Sequence, residues 1–227
     1  NPEIAPTQRD YIAGEISRDI TMRKLLPKKI VDAHNEGIIH FHDSDYFIQH
    51  ISNCCLINLE DMLQNGTVIS GTYIDKPHRF STACTIATQI IAQVASSQYG
   101  GQSISLAHLA PFVEETRKTI MKNRQHQKDI LSTSEFEKLV EAEVLDDVKN
   151  GIQTLQYQVI TLMTTNGQAP FITLYMDINE AKNKREQKDL ALCIKEVLNQ
   201  RIQGVKNEKG VYITTAFPKL IYALDDN

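Results

Sequence analysis

The spacing of apolar residues predicts two helices in the first forty residues. Isoleucines recur every four positions from Ile12 to Ile20, downstream of Thr7, so this stretch reads as a helix that Thr7 caps. Pro27 stands where a second helix begins, and Gly37 stands where that helix ends.

Four further helices are predicted, over residues 81–97, 106–123, 135–164 and 179–204. The first contains no charged residue, which is typical of a helix packed on most of its sides. The other three carry charges beside their apolar positions, so each has an outer face. Gly204 supplies the stop of the last helix.

Short apolar runs between these helices predict the strands, over residues 38–41, 54–59, 171–176, 211–215 and 220–224. Helices that alternate with short buried strands are typical of an α/β protein with a mostly parallel sheet or barrel. No repeat or linker interrupts the pattern, so residues 1–227 are interpreted as a single domain.

Composition narrows the class of protein. The chain has 227 residues and is 41% hydrophobic, enough to close a core. Its net charge is −4, with 24 basic and 28 acidic residues well mixed, which argues against DNA or RNA binding. No apolar run approaches the roughly 20 residues that span a bilayer, and no signal pattern opens the chain, so we expect no membrane segment and a cytoplasmic protein.

The four cysteines and two histidines are the first candidates for chemistry. The cysteine spacing fits neither a zinc ribbon nor a disulfide framework, so we interpret the cysteines as reduced thiols, at Cys54, Cys55, Cys84 and Cys193. An unpaired cysteine is usually a small buried apolar group. His40 and His42 fall on one face of a predicted strand, near two aspartates, but no third and fourth metal ligand follows, so no metal site is predicted.

Five short motifs carry a more specific signal. They are Asn53-Cys54-Cys55-Leu56, Ser81-Thr82-Ala83-Cys84-Thr85, Gln98-Tyr99-Gly100-Gly101, Asn166-Gly167-Gln168-Ala169-Pro170-Phe171 and Ala216-Phe217-Pro218-Lys219-Leu220. In this order the chain resembles the catalytic subunit of the anaerobic, glycyl-radical ribonucleoside-triphosphate reductases. It departs from that family at Tyr175-Met176-Asp177, where glycines and an aromatic residue often follow the strand.

The resemblance implies a fold, an activity and a radical cysteine. The fold is part of a ten-stranded α/β barrel of the glycyl-radical enzyme type, with helices outside short buried strands. The activity is reduction of ribonucleoside triphosphates to deoxyribonucleoside triphosphates, in which Cys54 becomes a thiyl radical that abstracts the ribose 3′-hydrogen. Such a radical must be screened from solvent, so we expect Cys54 to be buried and Cys55 to pack. A Cys54 sulfur on the outer surface, facing bulk solvent with no cavity beside it, would overturn this interpretation.

The resemblance also implies binding residues. The substrate pocket would include His40, His42, Asn53 and Asn166, although a turn in which His42 only satisfies backbone groups is an equal alternative. The uncharged helix resembles one that pairs across a two-fold dimer and binds a deoxynucleotide effector. On that analogy Gln89 contacts the effector, Asp75 belongs to the loop that reads its base, and Lys118 or Lys122 meets its phosphates. An exposed lysine on a helix is more often simply solvated.

A complete enzyme of the family is longer than this chain. We therefore expect a fragment, inactive alone, that lacks an ATP-cone, the C-terminal half-barrel, the zinc cysteines and the glycine that stores the radical. The full-length protein would use a glycyl radical, zinc and a formate or dithiol reductant. Its partners would be a ribonucleoside triphosphate, dNTP and ATP effectors, a radical-SAM activating enzyme and a second copy in a homodimer.

Two other hypotheses remain. A noncatalytic deoxynucleotide-binding regulatory or dimerisation module would keep the fold and the dimer helices without the reaction. A different glycyl-radical enzyme, acting on a small acid, would share the barrel and the cysteine, but the motifs disfavour it.

Overall fold

The structure, a computed structural model, describes residues 5–49, 53–97, 100–162 and 170–224. The helices in these ranges are α1 (Ala5–Ile20), α2 (Lys28–Asn35), α3 (Leu59–Gln64), α4 (Phe80–Ala95), α5 (Pro111–Asn123), α6 (Thr133–Thr161) and α7 (Lys184–Gln203). The strands are β1 (Cys55–Leu56), β2 (Thr67–Ile69), β3 (Thr72–Ile74), β4 (Gln102–Ser105), β5 (Ile172–Met176), β6 (Val205–Lys206), β7 (Tyr212–Ile213) and β8 (Lys219–Tyr222).

Four strands form one sheet in the order β1-β4-β5-β8, and every pair in it is parallel. Two antiparallel hairpins, β2-β3 and β6-β7, stand apart from it. Helices lie between successive strands of the sheet along the chain, as parallel connections require. The α/β class is confirmed, while the described strands form an open sheet with β1 and β8 at its edges, so the barrel stays a prediction.

Helices α4 to α7 hold most of the core. The uncharged α4 buries nine of its residues, which confirms the prediction of a helix packed on most sides. Phe80 and Phe112 are the largest fully buried side chains, and Ile104 and Leu174 bring the sheet into the same cluster. Helix α6 begins with a capping box between Ser132 and Glu135, so its first turn satisfies its own amides.

The first turn of α4 is capped by other helices, since Arg79 in its N-cap position offers no side-chain acceptor. The Ser81 amide and hydroxyl donate to the buried Asp147 carboxylate on α6, at 3.2 and 2.7 Å. The Phe80 amide donates to the Thr116 hydroxyl on α5, at 2.7 Å. The Ser81 motif therefore has a structural explanation at the start of a core helix.

A buried arginine ties the outer helices together. Arg117 of α5 is 5% exposed and forms ion pairs with Asp189 of α7 at 2.8 Å, Glu141 of α6 at 2.7 Å, and Glu114. Burial acts to lower the pKa of Arg117, but its bonds to Asp189 and Glu141 outweigh that effect and raise it. One side chain thus joins three helices.

Several predicted boundaries are wrong. Residues 38–41 form no strand, because the Phe41 amide donates to the His34 ring at 3.1 Å and not to a neighbouring strand. The helix predicted from residue 106 begins at Pro111, after a 3-10 turn, and the helix predicted from 179 begins at Lys184. Thr7 lies inside α1 and does not cap it.

Strand β4 was not predicted, because its sequence Gln-Ser-Ile-Ser is short and mostly polar. The strands predicted at 171–176, 211–215 and 220–224 are confirmed at shorter lengths. None of the described helices is both long and apolar enough to cross a membrane.

Candidate functional site

Four of the five motifs converge on one edge of the parallel sheet. Parallel strands begin at the same edge, and residues of each motif stand at or just before the start of a sheet strand. These residues are Asn53 and Cys54 before β1, Gly100 and Gly101 before β4, Pro170 and Phe171 before β5, and Phe217 and Pro218 before β8. We call this set the amino-terminal edge.

Backbone hydrogen bonds and a ring contact join the strands along this edge. The Cys55 amide donates to the Gly101 carbonyl at 3.2 Å, and the Gln102 amide donates to the Phe171 carbonyl at 2.8 Å. The Phe171 and Phe217 rings lie 5.2 Å apart. Motifs that are 46 to 69 residues apart in the chain are therefore neighbours in space.

Gly100 is required at this edge by a close approach of Asn53. A Cβ atom on Gly100 would overlap the Asn53 carbonyl and side-chain oxygens, which lie far inside contact distance. Only glycine leaves this space open. The glycine therefore allows the residues before β4 to approach closely the residues before β1.

Cys54 is exposed, so the predicted burial is wrong for the described residues. Its S–H donates to the Asn53 side-chain oxygen at 3.6 Å. Cys54 precedes β1, which is two residues long and lies at an edge of the sheet, so no strand in the described ranges covers its outer side. Cys55 is half-buried and packs against the core, as predicted.

The predicted histidine pair lies in an exposed loop. The His40 ring is 5.4 Å from His34 and 5.9 Å from His42, and His42 Nδ1 pairs with the Asp43 carboxylate. Within the described ranges, no hydrogen bond joins this loop to Cys54, and no group of three or more histidine, cysteine or acidic side chains is arranged for a metal ion. His34 was missed by the sequence analysis because it falls inside α2.

The loop that follows the histidines packs on the first helix. Asp43 has a left-handed backbone, with φ of 57°, and starts a 3-10 turn at Ser44–Tyr46. The Ser17 hydroxyl of α1 donates to the Asp45 carbonyl in this turn. Burial, followed by the nearby Asp10 carboxylate, raises the pKa of Tyr46.

The predicted effector residues lie exposed on neighbouring elements. Gln89 is on α4, Lys118 and Lys122 are on α5, and Asp75 follows β3. Lys118 pairs with Glu115 at 3.1 Å, which is an ordinary surface contact.

Two side-chain contacts bring these elements together. The Ser70 hydroxyl in the β2-β3 turn donates to Gln93 of α4 at 3.4 Å. The Thr119 hydroxyl of α5 donates to the His78 carbonyl, after β3, at 3.1 Å. Asn166, the last predicted substrate residue, falls outside the described residues.

Three further side chains have unusual surroundings, and one of them, Arg201, was not singled out from the sequence. Arg201, in the last turn of α7, donates to the carbonyls of Thr215 and Pro218 at the amino-terminal edge. Buried Cys84 and Cys193 lie in the core, where burial above all raises the pKa of both thiols. These two thiols belong to the packing and not to the edge.

The chain matches the family model described as anaerobic ribonucleoside-triphosphate reductase over residues 1–227. It is 36% identical over 228 residues to the protein of that name from Escherichia coli K12, covering 99% of this chain and 30% of the relative. It is 33% identical over 228 residues to the protein of that name from Enterobacteria phage T4, covering 98% of this chain and 35% of the relative. The chain thus spans about a third of the curated relatives it matches.

Solved structures agree on the fold. The anaerobic ribonucleotide reductase from Thermotoga maritima with dATP bound in the specificity site matches with a TM-score of 0.63 and 14% identity, over 96% of this chain and 37% of that chain. The same enzyme in complex with dATP and CTP matches with a TM-score of 0.60 and 14% identity, over 86% of this chain and 34% of that chain. At these identities the likeness supports the fold alone.

Proposed function

We propose, because the chain belongs to the anaerobic ribonucleoside-triphosphate reductase family, that it forms part of a catalytic subunit that reduces ribonucleoside triphosphates to deoxyribonucleoside triphosphates. The observation that carries this proposal is the family match over the whole chain. The convergence of four motifs on the amino-terminal edge supports it, because a shared site requires segments that are distant in the chain to meet in one place.

We further propose that residues 1–227 are one domain, an incomplete portion of a ten-stranded barrel. The open edges at β1 and β8 support this, since unpaired parallel strands are normally covered or continued. The described residues contain no group of side chains arranged for a metal ion. We propose the zinc cysteines and the radical glycine for the longer protein. The reductant, formate or a dithiol, and the radical-SAM activating enzyme are likewise proposed for the longer protein.

Cys54 is proposed to transfer hydrogen atoms to and from the substrate. A thiyl radical there would take the 3′-hydrogen of the ribose, so that one S–H bond forms as one C–H bond breaks and the unpaired electron moves to carbon. Its exposure counts against this role for the described residues alone. The proposal therefore requires further protein over the amino-terminal edge, to exclude water and stray reductants.

The binding roles follow from the same proposal. His40, His42, Asn53 and Asn166 would contact the substrate, and the Asn53 position beside Cys54 supports its inclusion. Asp75, Gln89, Lys118 and Lys122 would contact a deoxynucleotide effector. Their exposure on neighbouring elements supports this assignment. The dATP in the specificity site of the Thermotoga maritima structure supports the proposal of a deoxynucleotide effector, without indicating which residues contact it. A homodimer through the α4 region is proposed with them.

A noncatalytic deoxynucleotide-binding module is the second candidate. The exposed Cys54 favours it, because a sulfur without a radical role needs no shelter. Titration of the chain with deoxynucleoside triphosphates in a calorimeter tests this candidate. Tight binding by the chain, together with full activity of a full-length Cys54→Ser protein, would support it.

The test of the preferred function uses the full-length protein, activated without oxygen. We expect deoxynucleotide formation in the wild type, and neither product nor 3′-hydrogen exchange with solvent in Cys54→Ser. Cys55→Ala, at the half-buried neighbour that packs against the core, is the matched control and should stay active. Exchange without product in Cys54→Ser would move Cys54 to a later reducing step, and an inactive wild type would reject the function.

A further inference from the structure

Arg201 holds the segment that leads into β8. Its Nη1 donates to the Thr215 carbonyl at 2.6 Å, and its Nη2 donates to the Pro218 carbonyl. These two carbonyls flank Phe217, which belongs to the amino-terminal edge. A guanidinium presents two parallel donors in a rigid fork, so both carbonyls are held at once.

The surroundings of Arg201 differ from those of the other arginines on the outer helices. Arg117 and Arg185 pair with carboxylates, whereas Arg201 makes no ion pair with any described residue. Its Nε is buried without a hydrogen-bond partner, and burial lowers the pKa of Arg201. A half-buried cation that is matched only by carbonyl dipoles is costly to bury, so packing alone does not explain why an arginine stands here.

The position of Phe217 connects this contact to the rest of the edge. The Thr215 hydroxyl donates to the Phe217 carbonyl at 2.9 Å, which closes the loop around the same residue. The Phe217 ring packs on Phe171, whose carbonyl accepts the Gln102 amide of the next strand. A displacement of Phe217 would therefore also displace the residues at the start of β5 and β4.

We propose that Arg201 is a positioning residue: it fixes residues 215–218 so that Phe217 forms an apolar wall beside the substrate at the amino-terminal edge. This inference rests on the proposed function for its substrate. The placement of Phe217 by Arg201 can be tested without activity.

The first experiment measures amide hydrogen exchange by mass spectrometry in the full-length protein. In Arg201→Lys and Arg201→Met, we expect exchange in residues 211–224 to accelerate by about tenfold, because local opening becomes easier, with α6 unchanged. Arg185→Lys, at the other end of α7, is the matched control and should not affect residues 211–224. Unchanged exchange, or equal acceleration through the whole protein, would overturn the positioning role.

The second experiment compares steady-state kinetics of the same proteins after activation. We expect Arg201→Lys to raise KM for the ribonucleoside triphosphate by about fivefold, with the radical content unchanged, because the wall contributes to binding and not to radical formation. An unchanged KM despite faster local exchange would reject the inference. An inactive wild type with the expected exchange pattern would instead reject the proposed function and leave the placement of Phe217 supported.

Discussion

Helices α1 and α4 each contain 16 residues, and both carry isoleucines at helical spacing. They nevertheless differ in burial, since α1 is exposed and α4 lies in the core. Helix α4 buries nine residues, and Ile90 in it is 1% exposed. Helix α1 buries none, and Ile12 and Ile16 are 59% and 57% exposed. An apolar stripe thus marks a face that favours burial but does not determine whether a neighbour covers it.

The difference lies in the surrounding elements. Helix α4 packs against α6 along its length and receives its first-turn acceptors from Asp147 and Thr116. The main contacts of α1 with described elements are with the π-helical turn Thr21–Leu25 and the turn Ser44–Tyr46. Its charged residues pair locally, as Arg18 does with Glu15 at 3.1 Å, and so add little stability.

The largest expected effect comes from breaking the arginine network beside α4. Arg117→Met should destabilise the protein by about 3–5 kcal/mol, because the buried Asp189 carboxylate then keeps only its longer ion pair with Arg185, at 3.7 Å. Urea unfolding followed by circular dichroism measures this loss. Arg18→Met on α1 is the control, and an equal loss there would show that the two regions do not differ as described.

Truncation of matched isoleucines tests the comparison directly. Ile90→Ala in α4 should cost about 3 kcal/mol, because it leaves a cavity in a closed core. Ile16→Ala in α1 should change stability by less than about 0.5 kcal/mol, because its side chain is already in water. Equal losses in urea unfolding would mean that α1 is covered in solution.

Replacement of Asp147 tests whether the first turn of α4 depends on an acceptor that α6 supplies. Asp147→Ala should cost about 2 kcal/mol, because the Ser81 amide and the Thr116 hydroxyl lose a buried acceptor. Ser132→Ala, which removes a cap that α6 supplies to itself, should cost about 1 kcal/mol. Thermal unfolding compares the two, and no loss in Asp147→Ala would contradict the capping role.

The smallest effect is a pH dependence of the buried thiols. Burial raises the pKa of Cys84 in the folded protein above its ordinary value of 9.0. The contribution of the neutral thiol to the free energy of unfolding is therefore complete below pH 9. It decreases above pH 9, because the thiol ionises in the unfolded chain but not in the folded protein. Near pH 10 the loss of stability should be on the order of 1 kcal/mol per thiol. Cys84→Ala should reduce the slope of stability against pH between 9 and 10.5, and an unchanged slope would contradict the burial effect.

Sequence patterns predicted the helices best where they were long. The uncharged run before Gln98 and the amphipathic run of α6 each specify a helix, because many positions agree on one period. Strand β4 has too few residues to show a period. Residues 38–41 are mostly apolar and read as a strand, but the Phe41 amide donates its hydrogen bond to the His34 ring and not to a neighbouring strand. Short segments take their structure from partners that sequence spacing does not reveal.

By itself, the sequence determined the α/β class, the longer helices and, through its ordered motifs, the family. Only the tertiary structure decided that four motifs share one sheet edge, that Cys54 is exposed there, and that Arg201 holds the Phe217 segment. The physical reason is that helical period and motif identity are local properties of the chain. Burial and side-chain partnership depend on which distant segments the parallel sheet brings together.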